Sequence, residues 1–222
     1  MTNSDEALKT TCVNLIADGR SDEALARLLS VGATGSDSVD LLVIMADALE
    51  QLGRSEEAIS RLEASAESVA DPALLIRAGW LAAARRDRLT RNRLFQKAKD
   101  RHPTSSFVFA ALSDAAAEDG EIDRSIEFRR QAIALSTSNQ SRLEFTTSLC
   151  SELCAVGRPR EAWALLQRPP APVASTLWYD SARLATVNYF LPELGASAEE
   201  TRKQLRLIAD DHRNFGDQHA IP

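Results

Sequence analysis

Cysteine and histidine are scarce in this 222-residue chain, which has only three of each. Cys12, Cys150 and Cys154 form an odd, widely scattered set with no disulfide framework, which fits a reducing compartment. Cys150 and Cys154 share a helical face but have no further soft ligand nearby, so they read as small core residues. His212 and His219 stand seven apart; on one helix that is two turns, roughly 10 Å, too far for one metal ion. There is no glycine-rich phosphate loop, no nucleophile elbow and no pair of carboxylates on a β-framework. No apolar run approaches a membrane span, and the start, MTNSDEALK, lacks a basic n-region and an apolar h-region. A net charge of −6 argues against nucleic acid as the main partner. These absences lead to an expectation of a cytoplasmic protein with no cofactor, no metal, no membrane contact and no catalysis of its own.

What is present is helical periodicity. In Leu41–Ala64, Leu42, Met45, Ala46 and Leu49 fall on one helical face, Gly53 breaks the pattern, and Ala58 and Leu62 resume it. Gly53 supplies the left-handed residue that ends one helix, and Ser55 is expected to cap the next, with Glu56 and Glu57 in its first turn. Such a hairpin is too small to bury its apolar seam alone. The text recurs around Gly19, Gly53, Gly120 and Gly157: ADGRSDEALARLL, QLGRSEEAISRLE, EDGEIDRSIEFRR and AVGRPREAWALLQ. The first two glycines are 34 residues apart, and a further unit, Leu75–Pro103, fits the double step between Gly53 and Gly120. That unit puts Arg86 in the turn and Arg91 where alanine is usual, while keeping Gly79, Phe95, Ala98 and Pro103 in register.

This pattern resembles the tetratricopeptide (TPR) repeat family over Ser4–Arg168. The resemblance implies an all-α fold, a solenoid of helical hairpins wound into a right-handed superhelix of about six pairs. Three parts are expected: five TPR-like repeats over 1–168, a proline-rich spacer at 169–174, and a divergent helix pair over 175–222. Ser197 with Glu200 forms a capping box for the last helix.

A second resemblance lies in Ser181–Leu184, Val187–Tyr189, Leu194, Ala198–Glu200, His212–Ala220 and Pro222. This order is similar to the linker between TPR repeats and catalytic half in bacterial relatives of the O-linked N-acetylglucosamine transferase and SPINDLY glycosyltransferases. Phe190 and Phe215 depart from that pattern. The resemblance implies a partner-recruiting front end of a glycosyltransferase, its UDP-sugar-using catalytic part lying beyond this chain. The alternative is a stand-alone cytoplasmic TPR adaptor or chaperone. On the glycosyltransferase reading, apolar residues of the C-terminal pair, among them Leu205, Leu207, Ile208 and Phe215, would lie partly exposed in this chain and support its self-association.

In a TPR stack the first helices of successive pairs line the concave surface, where a protein or peptide partner would lie. The candidate groove residues are Asp47, Arg77, Trp80, Phe107, Asp114, Tyr179 and Arg183, with Lys9, Val13 and Ser151 beside them. Trp80 is the best single anchor, being the residue type that dominates binding hot spots; the competing reading is that it packs between helices. The carboxylate clamp of TPR co-chaperones and the asparagine ladder of the eukaryotic transferases are both absent. Arg85–His102 carries eight basic residues against Asp87 and Asp100. It reads either as a docking patch or as a solvated face paired with acidic neighbours.

Overall fold

The computed structural model describes residues 3–31, 38–166 and 195–206. The described residues are helical, in consecutive pairs: α1 (Asn3–Ala17) with α2 (Ser21–Ser30), α3 (Val39–Gln51) with α4 (Ser55–Ser65), and α5 (Pro72–Ala84) with α6 (Arg88–Arg101). Then come α7 (Ser106–Glu118) with α8 (Ile122–Leu135), and α9 (Asn139–Ala155) with α10 (Pro159–Leu166). Residues 198–206 are also helical. Two compact units contain these pairs, Met1–Pro103 with three and Thr104–Pro222 with two.

Each hairpin turn repeats one device. Gly19, Gly53, Gly120 and Gly157 have φ between 73° and 77°, and Arg86 takes the same left-handed conformation at φ 61°. At Gly53 the glycine N–H donates to Glu50 O (2.9 Å) and the Arg54 N–H to Leu49 O (2.8 Å). The other four turns repeat both bonds, which satisfy carbonyls a helix end would otherwise orphan. Arg86 shows that the turn tolerates a side chain at the strain a left-handed L-residue carries.

Seven residues before each turn position stands a small residue, and five after it another, except that Arg91 takes the second place in the third hairpin. The pairs are Cys12/Ala24, Ala46/Ala58, Gly79/Arg91, Ser113/Ser125 and Cys150/Ala162, and each member is buried. The backbones approach closely here, as the bonds from Cys12 Sγ to Ala24 O (3.9 Å), Ser113 Oγ to Ser125 O (2.9 Å) and Cys150 Sγ to Ala162 O (3.6 Å) show. Burial pushes the Cys150 thiol up to about 12 and raises that of Cys12. At Gly79 the space is filled by Phe95, whose Cε1 lies 2.1 Å from where a Cβ would stand. Cys150 is a core residue as expected, while Cys154 is only half-buried.

The caps differ from expectation. Ser55, the expected cap, is the first residue of its helix, as Ser21 is of α2; Arg54 and Arg20 occupy the cap positions, with no side-chain cap bond. Arg20 pairs with Glu23 and Arg54 with Glu57 across the first turn, both at 2.6 Å. Ser21 Oγ instead donates to Gln51 Oε1 on α3 (2.6 Å). The turn geometry places the helix start one residue earlier than capping chemistry alone suggests. Asp71, Asp87 and Ser138 do cap α5, α6 and α9. Because Ser138 caps it, α9 starts at Asn139. Ser197 Oγ accepts from the Glu200 N–H (3.1 Å), as the capping box requires.

The basic stretch of α6 is a paired face. Glu63 accepts from Arg93 (2.6 Å) and Lys97 (2.9 Å), Glu67 from Lys97 (2.7 Å) and Arg101 (2.9 Å), and Arg85 pairs with Glu56. The Arg93 guanidinium, joined by Lys97, holds the Glu63 carboxyl down to about 2. A shallow depression of about 600 Å³ lies along this seam, lined by Glu67, Arg93, Gln96, Lys97, Asp100 and Arg101.

Candidate peptide-binding faces

In the first unit α3 lies against both α1 and α5, so the first helices form one layer. One turn position recurs on its outer side, six residues before each hairpin turn: Val13, Asp47 and Trp80, then Asp114 and Ser151 in the second unit. Val13 is 50% exposed, while Asp47 and Trp80 are half-buried. The Trp80 ring meets the edge of Phe95 from α6 at a centroid distance of 5.1 Å. The tryptophan therefore serves both readings made above: part of it is interhelical packing and part is surface.

Charges on this layer are tied together. Lys9 pairs with Asp40 across to α3, and Arg77 reaches from α5 to Asp47 (2.7 Å) and Glu50 (2.5 Å) on α3. Burial works against the Arg77 charge, but Asp47 and Glu50 outweigh it and raise its pKa. One guanidinium thus answers two carboxylates. Arg77 and Asp47, named separately in the sequence, are brought into one cluster.

In the second unit α7 and α9 meet at Phe107 and Phe145, edge to face at 5.9 Å. Phe107 is 56% exposed, whereas Phe145 is buried. Asp114 follows Phe107 by two helical turns, about 10 Å along the same face, with the small residues Ala110 and Ala111 between them. Asp114 holds Arg129 of α8, which also donates to Glu152 Oε1 of α9 from Nε (3.2 Å) and Nη2 (3.0 Å). Ser125 Oγ donates to Glu152 Oε2 (3.0 Å), and Ser113 joins the chain through Ser125. Arg129 is 4% exposed, at the position where the other hairpins bury Leu28, Leu62, Phe95 and Leu166. Ser151 is exposed, its hydroxyl donating back to Thr147 O (3.2 Å). Tyr179 and Arg183, the expected proline spacer and most of the expected C-terminal pair lie outside the described residues.

Over residues 103–215 the sequence matches the family described as Tetratrico peptide repeat. The chain belongs to that family. No curated protein matches it in sequence. Among solved structures, TTC0263, a thermophilic TPR protein of Thermus thermophilus, is similar at 19% identity and a TM-score of 0.54, covering 80% of this chain and 97% of that one. A chain of the APC/C hetero-tetramer Cut9–Hcn1 aligns over 96% of this chain and 40% of its own, at 11% identity and a TM-score of 0.57. MamA from Desulfovibrio magneticus RS-1 matches at 15% identity and a TM-score of 0.50, over 75% of this chain and 93% of that chain. At these identities the likeness is one of fold. The TPR fold is that of a protein–protein interaction scaffold.

Sequence reading of the TPR faces missed Glu50, Arg129 and Glu152. Arg129 and Glu152 occupy apolar repeat positions, so each breaks the helical pattern, and that break was the only signal available. Among the described residues no group of three metal-ligating side chains gathers, and no described helix is long and apolar enough to cross a membrane.

Proposed function

We propose that this TPR chain is a cytoplasmic interaction scaffold that holds a partner segment, extended or as an amphipathic helix, along the concave faces of its first helices. The observation that carries the reading is the pair of aromatics on those faces: Phe107 is 56% exposed, and Trp80 is half-buried against Phe95. A partly buried aromatic fixed by its neighbours is a preorganised anchor for binding. The basic helix α6 is the weaker candidate, because Glu63 and Glu67 already engage its cations.

Within that reading, the narrower role is partner recruitment for a glycosyltransferase related to the O-linked N-acetylglucosamine transferase and SPINDLY proteins. Its support is the resemblance over Ser181–Pro222. A free-standing adaptor or chaperone would use the same faces, and coding sequence beyond Pro222 in the parent gene distinguishes the two.

The test starts from partner segments found by crosslinking and remade as synthetic peptides. Trp80→Ala is expected to weaken binding by about 2 kcal/mol with helical content retained. Affinities unchanged in both Trp80→Ala and Phe107→Ala would overturn the proposal.

A further inference from the structure

Charge is divided between the two helix layers in each unit. In the first unit, α1, α3 and α5 carry the carboxylates Asp5, Glu6, Asp40, Asp47 and Glu50 against only Lys9 and Arg77. In the second, α7 and α9 carry Asp114, Glu118, Glu144 and Glu152 against Arg142 alone. The second helices have the opposite balance. Helices α2, α4 and α6 hold eight basic residues against six acidic, and α8 and α10 hold four against three. The overall acidity of the chain therefore conceals a polarity across each unit.

On the α7–α9 face this polarity coincides with exposed apolar surface. Arg142, the one cation of those two helices, is turned to its own helix start and donates to Ser136 O (2.8 Å). The buried Arg129 answers Asp114 and Glu152 together, so that cluster keeps one negative charge, and its half-exposed member is Asp114. Phe107 stands about 10 Å from Asp114 across a floor of alanine. An apolar anchor and a residual negative charge thus share one stripe.

We infer that the occupant of this face is a cationic–apolar peptide segment, one that seats an aliphatic or aromatic side chain on Phe107 and a lysine or arginine at Asp114. The argument is charge complementarity, and it rests on the proposed function, since it names the partner class for a face already taken to bind peptide. An acidic segment would meet the Asp114 and Glu144 carboxylates with no cation on α7 to answer it. The long-range part of the attraction is screened by salt.

The test uses random dodecapeptides selected on the full chain at low salt, with the winners remade and titrated. Expected are sequences rich in lysine or arginine beside an apolar residue, binding at least fivefold more weakly at 0.3 M than at 0.05 M salt. Ser151→Lys adds one positive charge to the α9 face at an exposed site and should weaken them about tenfold. Glu127→Gln makes the same one-unit change on the exposed side of α8 and should leave them unaffected. Phe107→Ala should also cost about tenfold, with unchanged thermal melting as the folding control. Winners that are acidic or uncharged, yet still lost in Trp80→Ala or Phe107→Ala, sink the cationic partner and leave the scaffold standing. Winners indifferent to both aromatics, or no winners, count against the scaffold itself.

Discussion

Two arginines, one in each unit, answer two carboxylates apiece, and their surroundings differ. Arg77 lies on the layer of first helices with its side chain 27% exposed, between Asp47 and Glu50. Arg129 lies at a core position with its side chain 5% exposed, between Asp114 and Glu152. The net charge of the two clusters is the same, but the energetic consequences are not. A solvent-touching cluster gains little from its pairs because water screens them. Arg129 and Glu152 have lost most of their hydration, so each depends on the other. Asp47 and Asp114 stand at the same repeat position, so one repeat pattern presents a carboxylate to the surface in both units.

The largest expected effect breaks the buried cluster. Glu152→Ala leaves Arg129 short of its main partner and should destabilise the second unit by about 3–5 kcal/mol in denaturant unfolding. Replacing both residues by apolar ones of similar volume, as in Arg129→Leu with Glu152→Leu, should restore most of that loss. If Glu152→Ala unfolds like the parent, Arg129 is hydrated and the contrast with Arg77 collapses. Next in size is Gly79→Ala, whose Cβ would fall 2.1 Å from Phe95 Cε1. Overpacking there should cost the first unit about 1–3 kcal/mol and shift Trp80 fluorescence. Ala58→Leu, at the equivalent crossing of the preceding hairpin, is expected to cost about the same.

These crossings were legible because small residues repeat at fixed offsets from the turn positions, and Ala24, Ala46, Ala58, Gly79 and Ala162 are all recognisable that way. Cys12, Cys150, Ser113 and Ser125 obey the same rule less visibly, since a thiol or hydroxyl must find a carbonyl before it substitutes for alanine. Capping preference alone places the start of α4 one residue late at Ser55, because it leaves out the turn that consumes the following N–H. The Arg129 cluster was not legible. Its members sit 23 and 15 residues apart on three helices, and no local rule connects a charge at a leucine position to its partners.

Smaller effects sharpen the same contrast in the first unit. Glu63 has its folded pKa lowered from 4.5 to about 2. A lowered carboxylate pKa stabilises the fold above the unfolded value and loses that stability as pH falls from about 4.5 to 2. With solvent screening at this partly exposed seam the loss should be about 1 kcal/mol. It should appear as lower amide protection factors, corrected for the intrinsic exchange rate at each pH, in α4 and α6 at pH 3 than at pH 6, and Glu63→Gln should reduce that difference. Equal protection factors at pH 3 and pH 6 would deny the seam any role. Arg86→Gly should stabilise by about 1 kcal/mol by relieving a left-handed L-residue; a lower melting temperature would show that the arginine side chain contributes more than its backbone costs. Arg77→Met should cost no more than about 1 kcal/mol of stability, in contrast to Glu152→Ala. A loss as large as that of Glu152→Ala would mean the two clusters are not different in kind.

If the first-helix layers are the working surface, exposed apolar residues on both layers allow a direct comparison. Val13 and Phe107 lie on first helices at 50% and 56% exposure, whereas Leu29 and Leu89 lie on second helices at 44% and 85%. Oxidative footprinting of the full chain, free and saturated with a selected peptide, reads all four together with Trp80. Protection of Trp80 or Phe107, with Leu29 and Leu89 oxidised as before, is the predicted result. Protection of Leu89 or Leu29 while Trp80, Phe107 and Val13 stay open would contradict it and move the binding surface to the other layer.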